Sequence, residues 1–356
     1  MELRSNKRRE YRFRIESIAI LLLLLILLSS LGCQSVPAET PLATFTPAPF
    51  TISIADGSAT NPPNIAPSPP PSPPPTPIPT PEEFSIVWLA DTQTIAYHQQ
   101  NDVFQTMGEW IMANEEPLDI RYIVQTGDMV DNGFQKKQWD SFHILLDQFY
   151  GKIPYLPIAG NHDIGVKWEN YRGYLDQSFV KELPKDHIFN RGRAVYAEFQ
   201  AGGVDFLLIG AGWNSEVLSS YWINKTLKAH PDHVAILLFH SYTRVDGGLS
   251  RQGVFVHDTI VKNNPNVRLV LSGHLRGNGF RAEEFDDNND GVMDRTVNAM
   301  LYNYQGYDQT NSGQIRVLTF DTATRNIHVF TYSPYTERYF RDEYFKSNEF
   351  DLENAF

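Results

Sequence analysis

Tyr122-Ile123-Val124-Gln125-Thr126-Gly127 is a short apolar run that ends on Asp128, a residue able to bind metal. The same order recurs along the chain. Ile86-Val87-Trp88-Leu89-Ala90 runs into Asp91, and Tyr155-Leu156-Pro157-Ile158-Ala159-Gly160 runs into Asn161-His162-Asp163. Val234-Ala235-Ile236-Leu237-Leu238-Phe239 runs into His240, and Val267-Arg268-Leu269-Val270-Leu271-Ser272-Gly273 into His274. Runs this short and this rich in Val, Ile and Leu read as buried strands. In sheets with helical crossovers, ligands gather beyond the carboxyl ends of the strands. Residues distant in sequence are therefore expected on one rim. Two carboxylates, an amide oxygen and two imidazoles suit a transition metal of intermediate softness. Taken singly, each has a plainer reading: an Asp after a strand is usually a turn or cap residue, and a His a satisfied polar group. Turn chemistry does not explain why all of these strands end in this way.

Strand and helix candidates alternate through this region. Val103 to Ala113, Lys136 to Phe149, Glu216 to Ala229 and Val254 to Lys262 carry apolar residues at helical spacing. Gln314 to Phe320 and Ile327 to Tyr332 read as antiparallel-type strands. This order suits an α/β fold of two sheets flanked by helices, with no internal repeat.

Asp91-Thr92-Gln93, Gly127-Asp128-Met129-Val130-Asp131, Gly160-Asn161-His162-Asp163, His240 and Gly273-His274-Leu275-Arg276 resemble the ordered motifs of the calcineurin-like metallophosphoesterases. The second and third are specific in this order and spacing, whereas His240 alone is weak. The resemblance covers about residues 84 to 332 and implies a four-layer αββα sandwich of two mixed β-sheets. It also implies a site for one or two divalent transition metal ions (Mn, Fe, Zn or Ni) and a phosphoester substrate. On that mapping Asp128 bridges both ions, and Asn161, His240 and His274 complete one shell. The other ion takes Asp91 and the residues at Gln93 and Arg276, where the family pattern has His. Gln93 still offers an amide oxygen. Arg276 cannot ligate, because guanidinium stays protonated and has no lone pair to give. It is either an exposed loop residue or a grip on a phosphate oxygen, which its fork geometry suits.

The chemistry asks for the same parts. A phosphate ester needs a nucleophile at neutral pH, charge neutralisation and a proton for the leaving group. A bridging metal hydroxide and two cations supply the first two. His162 is placed to act as general acid, with Asp163 beside it to orient the imidazole. Asp131 is expected to support the ligands, not to bind metal. The plainer reading of Asn161-His162-Asp163 is a polar turn.

Lys7, Arg8, Arg9, Arg12 and Arg14 precede an apolar stretch running from Ile18 to Leu28, then Ser29-Ser30-Leu31-Gly32-Cys33. A basic region, a short apolar core and small residues make a signal peptide over residues 1–32. The core is shorter than the roughly 18 residues of a membrane span. Leu31-Gly32-Cys33 resembles the lipobox of bacterial lipoproteins, which implies lipidation at Cys33, a membrane held through the N-terminal lipid and an extracytoplasmic location. Ser30 is a less usual residue three positions before the cysteine. Cys33 is the only cysteine, so no disulfide framework exists. Residues 33–82 read as a Pro/Thr/Ser-rich linker that cannot bury a core. Extended polyproline would let it reach on the order of 100 Å. Residues 83–340 form the expected phosphoesterase domain, and 341–356 a C-terminal extension, packed or frayed. The net charge is −12 despite the basic leader, which excludes a broad nucleic-acid-binding surface.

Asp286-Asp287-Asn288-Asn289-Asp290-Gly291-Val292-Met293-Asp294 is an independent signal. Asp286, Asn288, Asp290 and Asp294 stand at oxygen-donor positions of a calcium loop, Gly291 at its tight turn, and the Val292 carbonyl at position seven. The twelfth position is Val297, where a helix–loop–helix site wants a bidentate Glu, so Glu283 or Glu284 would have to close the shell. The alternative is a solvated acidic turn. Such a calcium would be structural and would stiffen the loop that leaves His274 and Arg276.

The leading expectation is an exported, membrane-anchored, metal-dependent phosphoesterase. A catalytically weakened metal and phosphate-ligand binding protein on the same fold is the alternative, and metal content separates the two. A structural wall lipoprotein leaves the strand-end ligands unexplained, and the chain has no GxSxG elbow for a serine hydrolase.

Overall fold

The computed structural model describes residues 82–164, 183–305, 312–340 and 348–356. The expected signal peptide, Cys33 and all of the linker but its last residue lie outside the described residues, as do 165–182 and 341–347.

Among the described residues the strands are β1 (Glu83–Leu89), β2 (Ile120–Gln125), β3 (Tyr155–Pro157), β4 (Ile188–Phe189), β5 (Ala194–Ala201), β6 (Val204–Ala211) and β7 (Val234–Phe239), followed by seven more. These are β8 (Val267–Ser272), β9 (Gly277–Phe285), β10 (Arg295–Asn303), β11 (Ile315–Asp321), β12 (Asn326–Ser333), β13 (Arg338–Tyr339) and β14 (Phe350–Leu352). They form two mixed sheets. One has the order β13-β12-β11-β1-β2-β3 with β14 also beside β12, the other β4-β5-β6-β7-β8-β10-β9. β1, β2 and β3 are mutually parallel, as are β6, β7, β8 and β10. Every apolar run expected to carry a ligand is a strand in one of these parallel sets.

Strand alternation explains the layering. Along β1, Phe84, Ile86 and Trp88 face the second sheet and pack with Phe206, Leu208, Ile236, Leu238 and Leu271. Val87 and Leu89 point the other way, onto helices that contribute Phe104, Met107, Phe142 and Leu145. On the far side of the second sheet, Leu207, Leu237 and Val270 meet Ile223, Leu227 and Val256 of other helices. Three apolar interfaces make four layers: the αββα sandwich. Each fully buried large side chain, Trp88 or Phe142 for example, contributes about 2–3 kcal/mol.

The helices are α1 (Gln93–His98), α2 (Asn101–Ala113), α3 (Lys136–Phe149), α4 (Asn161–Ile164), α5 (Glu216–Ala229) and α6 (Arg251–Thr259). α3 and α5 have the expected bounds. α6 starts earlier than its apolar spacing suggests, because Ser250 caps it by accepting from the Gly253 N–H at 2.9 Å. It ends earlier too: the β-branched run Thr259-Ile260-Val261 leaves helical geometry at Ile260, and a 3₁₀ turn follows. At the C-terminus the described residues are packed. β14 joins β12, and the Phe356 ring lies 5.6 Å from Phe206 and 5.5 Å from Phe320.

Candidate active site

The turn after β2 sets the geometry. Gly127 (φ 100°) and Asp128 (φ 52°) are both left-handed, so the chain reverses at once and the Asp128 side chain stays at the strand end. Only glycine serves at 127, since a Cβ there would lie 2.5 Å from the Gly160 nitrogen and 2.7 Å from His240 Nδ1. The turn after β3 fits against it equally closely, because a Cβ on Gly160 would stand 2.1 Å from Asp128 Oδ1. The His162 N–H then donates to that same Asp128 Oδ1 at 2.9 Å.

The two sheets meet at His240. Its Nδ1 donates to the Thr126 carbonyl at 2.7 Å, which turns Nε2 into the site. Asn161 Oδ1 lies 3.1 Å from that Nε2, and Asp128 Oδ2 3.2 Å from it. Asp128, His240 and His274 bring one ligand atom each within 4.8 Å of one another, the one such set among the described residues. Trp213, after β6, holds the imidazoles: its ring is 4.7 Å from His274 and 5.6 Å from His240.

The electrostatics fit a bound cation. Burial alone would raise Asp128, yet the charge and hydrogen bond of His240 hold it below the ordinary carboxylate range. Burial alone would lower His240, but the Asp128 carboxylate, then Asp91 and the Thr126 bond, push it up to about 10. Burial, aided by the His240 charge, lowers His274 to about 4, which leaves its imidazole neutral and ready to ligate. Asp91 is raised well above the usual range, first by burial and then by the Asp128 and Asp163 charges. Buried carboxylates thus crowd one cationic histidine. The donor set of carboxylate, amide oxygen and imidazole matches what a divalent transition ion takes.

Asp91 and Gln93 are engaged differently. Both Asp91 oxygens accept from the His274 N–H, at 3.1 and 3.0 Å, and Oδ2 also accepts from Asn303 Nδ2 at 2.7 Å. The Gln93 amide oxygen accepts from Gln305 Nε2 at 2.9 Å, and Gln305 in turn accepts from Thr94. Protein donors therefore already occupy lone pairs of both. Arg276 is exposed.

The expected pairing of His162 with Asp163 is corrected. Asp163 is fully buried and turns inward, where Oδ1 accepts from the Met129 and Val130 N–H groups at 2.8 and 3.1 Å, and Oδ2 from Gly160 at 2.7 Å. Burial and the Asp128 charge raise it to about 7 against those bonds. It fastens the turn after β2 to the turn after β3. The group beside His162 is Asp131: its carbonyl oxygen is 2.6 Å from Nδ1 and its Oδ1 3.3 Å away. His162 remains partly exposed.

The acidic loop is also placed differently from expectation. Asp286–Asp294 closes the β9–β10 hairpin at Phe285 and Arg295, whereas His274 and Arg276 precede the opposite end. β9 has nine residues, which separates the two ends by about 27 Å. Within the loop, Asp286 accepts from the Asp290 and Gly291 N–H groups, Asp290 from Val292, and Asp294 from Asp287 and Asn288. Asn288 Oδ1 accepts from Asp290 N–H at 2.8 Å.

Trp213, Asn303, Gln305 and Thr126 escaped sequence reading. β6 is a further apolar run, but it ends in Gly212-Trp213-Asn214, which carries no strong metal ligand. β10 ends on Asn303, an amide with the same ambiguity. Thr126 acts through its backbone, which any residue has.

The calcineurin-like phosphoesterase family profile matches residues 84–275. The protein YvnB of Bacillus subtilis is 38% identical over 279 residues, 76% of this chain and 21% of YvnB. The chain thus spans about a fifth of that relative. The "Probable cyclic nucleotide phosphodiesterase" of Moraxella catarrhalis is 28% identical over 213 residues, 54% of this chain and 71% of that protein. Among solved structures, a purple acid phosphatase from yellow lupin covers 76% of this chain and 54% of its own, at 14% identity and TM-score 0.49. With more than half its length matched by the family profile, this chain belongs to the calcineurin-like phosphoesterases.

Proposed function

We propose that this protein is an exported, lipid-anchored phosphoesterase that hydrolyses a phosphate mono- or diester with a divalent transition metal held by Asp128, Asn161, His240 and His274. Asn161 Oδ1 and Asp128 Oδ2 each lie within 3.2 Å of His240 Nε2, and this carries the reading. A bound divalent ion there supplies an activated water and neutralises phosphate charge. The chain's own residues do the rest. Thr126 fixes the His240 tautomer, Trp213 holds both imidazoles, and His162, steadied by Asp131, gives its Nε2 proton to the leaving oxygen. Arg276, exposed where the family has a ligand, grips a phosphate oxygen. Asp91 and Gln93 hold a second, weaker ion.

The likeness to the Moraxella protein puts cyclic nucleotides first in a substrate panel. Asp128→Ala or His274→Ala should lower the rate by about 10²-fold or more, several kcal/mol of barrier. Full activity of Asp128→Ala, or full activity after metal stripping in strong chelator, refutes the reading. A second reading is a metal-bound phosphate-ligand binding protein with weakened turnover. The donors already seated on Asp91 and Gln93 favour it. Two ions at the strand-end site, with turnover, exclude it.

The loop Asp286, Asn288, Asp290, Val292 and Asp294 is proposed as a structural calcium site, supported by its oxygen-donor spacing. Export and anchoring at Cys33 rest on the basic, apolar and small-residue order that precedes it.

A further inference from the structure

Away from the strand-end site, three histidines from different segments surround one glutamate. Glu198 projects from β5. His187 ends the 3₁₀ turn Lys185–His187, His230 caps α5, and His233 lies in the turn before β7. His230 Nε2 is 3.2 Å and His233 Nε2 3.3 Å from Glu198 Oε1, while His187 Nε2 is 3.7 Å from Oε2. The three imidazoles are only 16–21% exposed.

Neighbouring groups orient two of these rings in the metal-free protein. His230 Nδ1 donates to the Thr226 carbonyl at 2.7 Å, so in the neutral tautomer its Nε2 lone pair faces the carboxylate. Two lone pairs at that distance repel unless a cation lies between them. The His187 ring stacks on Tyr196 at 3.8 Å, and the His230 and His233 rings stand 5.0 Å apart. One divalent ion satisfies every group at once.

We propose that Glu198, His187, His230 and His233 form a second metal site, separate from the catalytic one and selective for a zinc-like divalent ion. Zinc takes imidazole nitrogen and carboxylate oxygen at about 2.0–2.2 Å in a tetrahedron, which puts neighbouring ligand atoms about 3.3 Å apart. The Glu198–His230 and Glu198–His233 separations already have that value. Three such ligand atoms do not yet stand within 4.8 Å here, as they do at Asp128, His240 and His274. The imidazoles close on the ion by rotation about their side-chain bonds. His230-Pro231-Asp232-His233 supplies two ligands from one turn, and β5 and the 3₁₀ turn supply the others. The ion would tie the end of α5 to the edge of the second sheet, a structural role.

The test counts zinc. The full chain is stripped of metal, equilibrated with micromolar zinc, freed of excess and analysed for zinc per chain at pH 7.5. Glu198→Gln and His233→Ala should each hold one ion fewer than the parent. Asp128→Ala should lose zinc from the catalytic site yet keep the Glu198 ion, so failure here is distinguishable from failure of the phosphoesterase reading. Thermal unfolding supplies a second readout: zinc should raise the midpoint of Asp128→Ala and not that of Asp128→Ala combined with Glu198→Gln. Equal zinc content in the parent, Glu198→Gln and His233→Ala would overturn the proposal. So would midpoints that follow pH alone and ignore zinc, the behaviour of a protonated histidine cluster.

Discussion

His162 is held by Nδ1 against the Asp131 carbonyl, which leaves Nε2 for proton transfer. His162→Ala should cost about 10²–10⁴-fold in turnover. Asp131→Ala leaves the imidazole and the carbonyl contact in place, so it should cost about 10-fold and shift the pH–rate profile. Asp163→Ala should act on stability instead. It strips the acceptor from three buried N–H groups, a loss of about 3 kcal/mol or more, or about 6–12 °C in Tm for a domain of this size. A parent-like Tm for Asp163→Ala would contradict the inward-facing role. On the proposed reading, the same crowding of donors makes the two metal positions unequal. Two imidazoles serve one ion, while the other must compete with Asn303, the His274 N–H and Gln305 for Asp91 and Gln93. Calorimetric titration of metal into stripped Glu198→Gln protein, which lacks the separate zinc site proposed above, should give one tight and one weak step, with Gln93→His plus Arg276→His tightening the weak one. Two equally tight ions in the Glu198→Gln protein would show that these residues do not weaken the site.

At the scale of elements, the β9–β10 hairpin carries the acidic loop at the end remote from His274. Calcium there has no route to the chemistry through that loop, only to hairpin stability. Calcium should raise the Tm of the parent and not of Asp290→Ala, with phosphoester turnover unchanged in both. Equal shifts would place the binding elsewhere. Sequence reading found the strands that carry ligands because a buried parallel strand has a run of Val, Ile and Leu with few substitutes, and each run stops at a residue of distinctive chemistry. α3 and α5 were legible for the matching reason, an apolar face at helical spacing. The end of α6 was not, since apolar spacing continues through Ile260 while the backbone leaves the helix. The hairpin was missed as an element because sequence adjacency suggested that the acidic loop borders His274. Only strand pairing reveals that nine residues of β9 intervene. Asp163 was misread in the same way, for sequence proximity to His162 says nothing about which way a buried carboxylate turns. Trp213 and Asn303 act through packing and a single amide, and neither has a spacing rule to betray it.

For the whole molecule, the proposed export and anchoring carry physical consequences that can be tested. The charge of −12 includes a strongly basic segment before Ile18, so the remainder is more acidic still. An anionic membrane surface repels such a body, and a single lipid chain binds membranes only marginally. If Cys33 is the anchor proposed from its likeness to a lipobox cysteine, stable anchoring would require more than one acyl chain on it. The prediction is that mass spectrometry of the membrane fraction finds Cys33 as a lipid-modified first residue. Cys33→Ser should move the protein into the soluble fraction while its phosphoester turnover per chain stays within about twofold, because the tether takes no part in the metal site. A mature chain that retains residues 1–32, or a Cys33→Ser protein that stays on the membrane, would rule this arrangement out.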